Sequence, residues 1–201
     1  MATRARAGTI RVMSVDPQVA DLVAQGRFDE AATLVLEAHG PEILGYLRAV
    51  LRDEGAAGDA FSLFSENAWR GLAGFRGEAS TRVWCYRIAF RAALTQRRDP
   101  YARRRNRLET TMASRLAGKI FATTALDRER EGNALERLRA GLDPEEQTLL
   151  TLRVDRRMSW REVAEVLAED GAAVEESALR KRFERLKEKL ARAARDEGLM
   201  G

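Results

Sequence analysis

The amino-acid sequence predicts an all-α protein with two small helical domains joined by a flexible linker. Alternating runs of β-branched residues, which are typical of strands, do not occur. Apolar residues instead recur at helical spacing along almost the whole chain, and only four prolines interrupt its 201 residues. Hydrophobic residues make up 45% of the chain, which supplies a core and excludes a wholly disordered protein.

The composition disfavours enzymes. Cys85 is the single cysteine and His39 the single histidine, so an internal disulfide or a cysteine-based metal cluster cannot form. The phosphate-binding patterns GxxxxGK[ST] and GxGxxG do not occur. We therefore expect no catalytic residues, no cofactor and no metal site, and we interpret Cys85 as a buried packing residue.

Hydropathy argues against a membrane protein or a secreted one. The longest stretch without a charged residue, Ile120–Leu126, has seven residues, whereas a membrane-spanning helix needs about 20 mostly apolar ones. Met1–Arg11 lacks the apolar core of a secretory signal peptide. We expect a cytoplasmic protein that does not bind membranes.

The positive charges are clustered rather than numerous. The net charge is only +4, but the sequence pI is about 9.6, and Leu179–Arg195 holds eight cations against two anions. Segment 97–107 contains six arginines and a single acidic residue, Asp99. Such clusters favour a polyanionic partner; at this point a solvated helix face explains them equally well.

The first part of the chain is interpreted as a poorly patterned N-terminal arm, 1–26, followed by a helical domain, 27–98. Gly40-Pro41 is expected to break the first apolar pattern into two helices, Phe28–Ala38 and Ile43–Arg52.

The rest of the first domain contains two further helices. Apolar spacing predicts a helix over Asp59–Leu72. The glycines of Gly71–Ala79 predict a loop. Ser80 is a suitable N-cap for the next helix, Thr81–Arg98.

Segment 99–134 is interpreted as a linker that contains a short helix, and 135–201 as the second domain. That domain is expected to start with a short helix, Leu135–Leu142. Two capping boxes, Asp143–Glu146 and Ser159–Glu162, then mark further helix starts.

The last helix begins at about Glu175. Leu179, Phe183, Leu186 and Leu190 give it one apolar stripe, and its other faces are basic.

The segment Ser159–Arg195 has the layout of a helix-turn-helix, in which the second helix enters the major groove of DNA. Arg180 and Lys181, near the start of that helix, are expected to meet bases or phosphates, and Arg182 and Arg185 to meet phosphates. Arginine suits guanine because its fork matches two acceptors on the base.

Residues 74–89, GFRGEASTRVWCYRIA, closely resemble a segment of bacterial extracytoplasmic-function sigma factors. In that family the segment forms the loop that recognises the promoter −10 element and the start of the following helix. The resemblance implies DNA contacts from this region, by residues Phe75, Arg76, Ser80, Arg82, Arg87 and Arg91. Phe75 and Trp84 are candidate surfaces on which an unpaired base could stack. Trp84 lies on one stripe with Ile88 and Ala92 and is better interpreted as a core residue, whereas for Phe75 an anchor of the loop is an equally good interpretation.

Asp59–Trp69 resembles the preceding family helix, which docks on the β′ clamp helices of RNA polymerase. The residues implied in this docking are Asp59, Phe61, Ser62, Glu66 and Trp69. Where the family usually has a Gln-Glu pair, this chain has Ser62 and Leu63. The aromatic residues of this stripe are also interpretable as the domain's own core.

Leu142–Leu190 resembles the family's second domain, which reads the −35 element. The family also uses the β flap of polymerase and, in many members, an anti-sigma factor. The resemblance covers about three-quarters of the chain. It implies a sigma factor in which 27–98 and 135–201 are the regions reading the two promoter elements.

Two other functions fit the residues. A stand-alone helix-turn-helix regulator would use Phe28–Arg98 for dimerisation or sensing, and it would bind a palindromic site. A third hypothesis is an adaptor whose basic surfaces bind an acidic protein rather than DNA.

Overall fold

The computed structural model describes residues 15–98, 115–120, 138–168 and 174–199, and in these ranges all regular secondary structure is helical. The prediction of an all-α fold is confirmed. Most of the linker predicted at 99–134 and the first residues of the predicted arm lie outside the described residues.

The N-terminal half is a bundle built around three long helices. The elements of this half are α1 (Asp16–Ala24), α2 (Phe28–Leu51), α3 (Glu54–Gly71), a 3₁₀ turn (Leu72–Gly74) and α4 (Thr81–Arg98). The long helices α2, α3 and α4 pack on one another and bury large side chains such as Leu36, Leu47, Phe64 and Tyr86. The short α1 packs against α2.

The predicted break at Gly40-Pro41 is wrong, because α2 runs through it with Pro41 inside the helix. An internal proline costs about 3 kcal/mol. On either side of it, however, Leu36, Ile43 and Leu44 are fully buried, and burying one such side chain contributes about 1.5–3 kcal/mol. Tertiary packing therefore overrides the local signal.

Two other predicted boundaries are also wrong. Residues 16–24 of the predicted arm form α1, which is held by the buried Val19. α3 begins at Glu54 rather than Asp59, because the Asp53 Oδ1 atom accepts a hydrogen bond of 2.6 Å from the Ala56 amide and caps the helix. Asp59 accordingly lies inside α3 and not at its start.

The C-terminal half contains α5 (Pro144–Leu150), which continues through a π-helical turn (Thr151–Asp155), then α6 (Trp160–Leu167) and α7 (Glu176–Asp196). Both predicted capping boxes are confirmed: Asp143 pairs with Glu146, and Ser159 pairs with Glu162. These caps fix where α5 and α6 start.

The two halves lie against each other. α6 packs on α4, and α5 packs on α2. Leu149, Leu152 and Val163 of the C-terminal half belong to the same buried cluster as the core of the N-terminal half. The separation into domains at the predicted boundaries stays a prediction.

Segment 115–120 is helical and covers part of the N-terminal half. Ala117 and Ile120 are buried. An ideal Cβ atom on Gly40 would lie 2.6 Å from the Ile120 Cδ1 atom, so a larger residue at this position of α2 would displace the end of the Ile120 side chain.

None of the described helices combines the length and apolar character needed to cross a bilayer.

Candidate nucleic-acid and polymerase interfaces

α7 carries cations on three sides, including the side opposite the core. Leu179 and Leu186 are buried. Lys181, Arg185 and Arg192 lie on the opposite face; they are exposed and have no ion-pair or hydrogen-bond partner within the described ranges. Their spacing of four and seven residues puts the three charges in one row along the helix. An unpaired row of cations suits a phosphate backbone.

The cations on one flank of α7 are tied to α5. Arg182 forms an ion pair with Glu145, and the Lys189 Nζ atom lies 2.6 Å from the Glu146 Oε2 atom. Both acids stand in the first turn of α5. The predicted phosphate contact of Arg182 therefore competes with an ion pair inside the C-terminal half.

Arg180 lies on the other flank, beside Trp160. Its guanidinium is 2.9 Å from Glu176 and 5.8 Å from the centre of the Trp160 ring. Arg153 lies 4.9 Å from the same ring, and Phe183 packs edge-on against it. Cation–π contacts of this kind limit the orientations of an arginine, so Arg180 is held at the start of α7.

α4 presents a second row of arginines. Arg87 and Arg91 lie one turn apart, and neither they nor Arg98 have a partner in the part of the chain that the structure describes. Arg91 and Arg98 are exposed, and Arg87 is half-buried. In the preceding loop, Arg76 is exposed and lies 4.0 Å from Glu78. These arginines are available to a polyanion.

Arg82, predicted with them, is used inside the molecule. It forms a forked ion pair with Glu42 of α2, with Nε–Oε1 and Nη2–Oε2 distances of 3.0 Å. Its Nη1 atom also donates to the Arg156 carbonyl at 3.1 Å. Burial alone would raise the pKa of Glu42. Hydrogen bonds from His39 and Arg82 and the charges of Arg82 and Arg156 outweigh burial, and they lower that pKa to about 2.

The aromatic residues of the loop pack on each other. The rings of Phe75 and Trp84 lie 5.2 Å apart, and Trp84 is buried. An ideal Cβ atom on Gly71 would come within 3.1 Å of the Trp84 ring, so the end of α3 approaches this ring closely. Phe75 thus anchors the loop to α4, as the packing interpretation expected.

The start of α4 is capped from two elements. The Ser80 hydroxyl accepts from the Val83 amide at 3.2 Å, as predicted from sequence. Asp16 of α1 accepts from the Thr81 amide and hydroxyl at 2.7 and 2.6 Å, and His39 of α2 lies 2.9 Å from the same hydroxyl. Ser80, predicted to contact DNA, therefore already has a capping role.

The residues predicted to dock on polymerase all lie on α3, but some are buried in the N-terminal half and others are accessible to solvent. Phe61 is buried, and Glu66 is buried in an ion pair with Arg70. Ser62 is exposed and donates to the Gly58 carbonyl at 2.9 Å. Asp59 and Trp69 are half-buried. Only part of the predicted set is therefore accessible without rearrangement of α3.

The sequence interpretation missed Glu42, Arg52 and Arg156. Arg52 and Arg156 link the two halves by hydrogen bonds to residues that lie 87 to 114 positions away in the sequence. Glu42 takes part because its carbonyl accepts from Arg156 and its carboxylate pairs with Arg82. No local pattern in the sequence marks them. Burial of Cys85 agrees with its predicted packing role, and that burial raises the pKa of its thiol well above the usual range.

Comparison with solved structures finds a similar fold in CnrH, solved in complex with the cytosolic domain of CnrY. The TM-score is 0.60 and the sequence identity 21%, over 90% of this chain and 98% of that chain. No protein-family model matches the chain, and the search of curated proteins also gives no match.

Proposed function

We propose that the protein is a bacterial sigma factor of the extracytoplasmic-function class, which directs promoter-specific initiation by core RNA polymerase. It is not itself an enzyme and needs no cofactor. Its place of action is the cytoplasm, where promoter DNA and polymerase are its partners.

One observation carries this proposal: two rows of cations, without partners in the described part of the chain, stand on helices from different halves. Arg87 and Arg91 follow the loop that resembles the −10 loop of the family. Lys181 and Arg185 stand on the second helix of the unit whose layout fits a helix-turn-helix. Two separate basic surfaces suit a protein that contacts two promoter elements.

The comparison with CnrH supports the same class. CnrH is a sigma factor of the extracytoplasmic-function class, and its fold is similar over nearly its whole length. Because CnrH was solved with the cytosolic domain of CnrY, a regulatory protein of the anti-sigma type is a further proposed partner of this chain.

Docking on polymerase is assigned to α3 and its accessible residues. Asp59, Ser62 and Trp69 are exposed or half-buried. The aromatic side chain of Trp69 is of the kind that carries binding energy at protein interfaces. The β flap of polymerase is the partner proposed for the C-terminal half.

The test is transcription in vitro with core polymerase and a library of promoters. The full chain is expected to bind core polymerase and to give transcripts that start at defined promoters. The double variant Arg87→Glu/Arg91→Glu should lose those transcripts, because it reverses charges in the α4 row. Arg27→Ala is the matched control: Arg27 is exposed and pairs with Glu30 nearby, so transcription should not change. Absence of both core binding and transcripts would exclude the proposal.

The helix-turn-helix layout of α6 and α7 also fits a stand-alone regulator. That function requires a dimer that binds a palindromic duplex without polymerase. Sedimentation of the free protein with and without duplex DNA separates the two functions. A monomer that binds specific DNA only with polymerase supports the sigma factor.

A further inference from the structure

The indole ring of Trp160 lies at the first turn of α6, where two kinds of contact set its place. The capping box fixes the backbone: the Ser159 Oγ atom accepts from the Glu162 amide at 3.2 Å, and the Glu162 Oε2 atom accepts from the Ser159 amide at 2.6 Å. Phe183 of α7 packs edge-on against the indole, with ring centroids 5.5 Å apart. Trp160 is therefore a half-buried ring with a defined orientation between α6 and α7.

Two guanidinium groups lie over this ring. The Arg153 Cζ atom is 4.9 Å from the ring centre, and the Arg180 Cζ atom is 5.8 Å from it. Arg153 is itself held in place, because its Nη1 atom donates to the carbonyl of the buried Met158 at 2.7 Å. A cation within about 6 Å of an aromatic ring is attracted to it, most strongly to tryptophan. The Trp160 ring thus joins the π-helical turn, the start of α6 and the start of α7.

These contacts orient Arg180 and leave most of its donors available. Its side chain is 57% exposed, and its Nη2 atom donates to the Glu176 Oε2 atom at 2.9 Å. The Nε and Nη1 atoms make no hydrogen bond to the residues that the structure describes. A guanidinium stacks on an aromatic ring with its face, so its N–H donors still point outward in its own plane.

The neighbouring cations of α7 are not oriented in this way. Lys181 is exposed and has no partner among the described residues, and Arg182 is tied to Glu145 of α5. A long side chain that is ordered only on binding loses conformational entropy at that moment. A guanidinium that is already oriented avoids this loss and binds a matching group more tightly. Arg180 is therefore the cation of this turn that is best prepared to read a base.

Recognition of guanine depends on the plane of the guanidinium. Arginine reads guanine through two hydrogen bonds, to O6 and N7 in the major groove, and both must be aligned at once. In a helix-turn-helix the N-terminal residues of the second helix contact the base edges. Arg180 lies in the second turn of α7, so its position and its chemistry both suit a guanine of duplex DNA.

We infer that Trp160 is a positioning residue for base recognition: its ring holds the Arg180 guanidinium in the orientation that reads a guanine, and it thereby sets the preference at one base pair of the promoter. Trp160 acts through Arg180 and not by touching DNA. The inference rests on the proposed function and deepens it, because it assigns part of the specificity of the C-terminal half to a pair of residues on different helices.

The first measurement tests the contact in the free full chain. In a nitrogen–proton correlation spectrum, the indole ring current should displace the Nε–Hε signal of Arg180, which is identified by its disappearance in Arg180→Ala. The displacement should vanish in Trp160→Leu and persist in part in Trp160→Phe, which keeps an aromatic face. Phe28→Leu is the matched control, because Phe28 is exposed at the start of α2 and outside the proposed DNA and polymerase interfaces. It should leave the signal unchanged.

The second measurement is binding of the full chain, together with core polymerase, to promoters that differ at single base pairs. Arg180→Ala should lower the preference for guanine at one base pair roughly tenfold. Trp160→Leu should lower it at the same base pair by about two- to fivefold, which is the size of an exposed cation–π contact. Trp160→Phe should lower it less. The dependence of binding on salt should stay the same in both Trp160 variants, because neither removes a charge.

A double-mutant cycle separates positioning from a structural role. Once Arg180 is replaced by alanine, Trp160→Leu should have no further effect on the base preference, because the residue through which it acts is gone. An equal loss of preference in both backgrounds overturns the inference. Circular dichroism verifies that each variant is folded, and Trp160→Phe tests the predicted ranking even where Trp160→Leu does not fold.

The outcomes distinguish this inference from the proposed function. An Arg180 signal that does not move in Trp160→Leu overturns the contact. A moved signal with an unchanged base preference overturns the positioning role, and both results leave the sigma-factor proposal standing. Absence of core binding and of transcripts for the unaltered chain excludes the proposed function, and the inference falls with it.

Discussion

The two basic helices, α4 and α7, differ in how they use their arginines. α4 lies in the middle of the molecule, between α2 and α3 on one side and α6 on another. Val83, Trp84, Cys85 and Tyr86 are consecutive and all buried. α7 lies at the edge, with a single apolar stripe and cations around the rest of its surface.

This difference in position decides what a cation does. Arg82 on the central helix finds a carboxylate on α2 and a carbonyl from the C-terminal half. Lys181 and Arg185 on the peripheral helix face solvent and have no partner among the residues that the structure describes. A basic helix at the centre of a bundle uses part of its charge for structure, whereas a helix at the edge presents its charge to a ligand.

The largest expected effect is on the central helix. Trp84→Ala should lower the free energy of unfolding by about 3–5 kcal/mol, because it leaves a cavity beneath Phe75 and beside Gly71. Urea denaturation measures this loss. Lys181→Ala on the edge helix should change the same quantity by less than about 0.5 kcal/mol, and equal losses in both variants would remove the distinction between the helices.

The next effect concerns DNA recognition by the edge helix. If Arg180 reads a base, Arg180→Ala should weaken promoter binding by about 1–3 kcal/mol and relax the preference at one base pair. Binding to a set of promoters with single base changes, in the presence of polymerase, measures this preference. A small loss that is uniform across all sequences would assign Arg180 to the phosphate backbone.

A third effect is the pH dependence that the Glu42 ion pairs create in the centre of the molecule. The pKa of Glu42 is lowered from 4.5 to about 2, so its pairs stabilise the fold above the ordinary pKa and lose this contribution as the pH falls from about 5 to 2. After allowance for partial exposure, the contribution is about 2 kcal/mol.

Unfolding experiments on the wild type and Glu42→Gln between pH 2 and 6 test this contribution. The difference in the free energy of unfolding should be largest at pH 6 and should shrink toward pH 2. A difference that stays constant with pH would show that Glu42 stabilises the fold by packing alone.

The smallest effect separates two cations only one residue apart on α7. Lys181→Ala should reduce the dependence of DNA binding on salt by about one phosphate contact, because Lys181 faces outward. Arg182→Ala should change it less, since Arg182 pairs with Glu145. Titrations at several salt concentrations measure both slopes, and a steeper loss from Arg182→Ala would mean that DNA displaces Glu145.

Prediction from sequence succeeded where the signal is local. Ser80, Asp143 and Ser159 each cap the helix that the sequence predicts to begin beside them. These caps are predictable because a capping hydrogen bond joins residues only two or three positions apart. It failed at Pro41, where burial by other elements of the fold outweighs the local preference. It also missed a local signal, the Asp53 cap that starts α3 ahead of the predicted position.

The sequence by itself determined the all-α fold, the starts of α4, α5 and α6, and the apolar stripe of α7, since each follows from contacts within a few residues. Tertiary structure decided which arginines are available to a ligand. The partners of Arg52, Arg82, Arg156 and Arg182 lie between 37 and 114 residues away. An arginine has the same chemistry whether it is paired or not, and only the folded chain brings a carboxylate or a carbonyl within its reach.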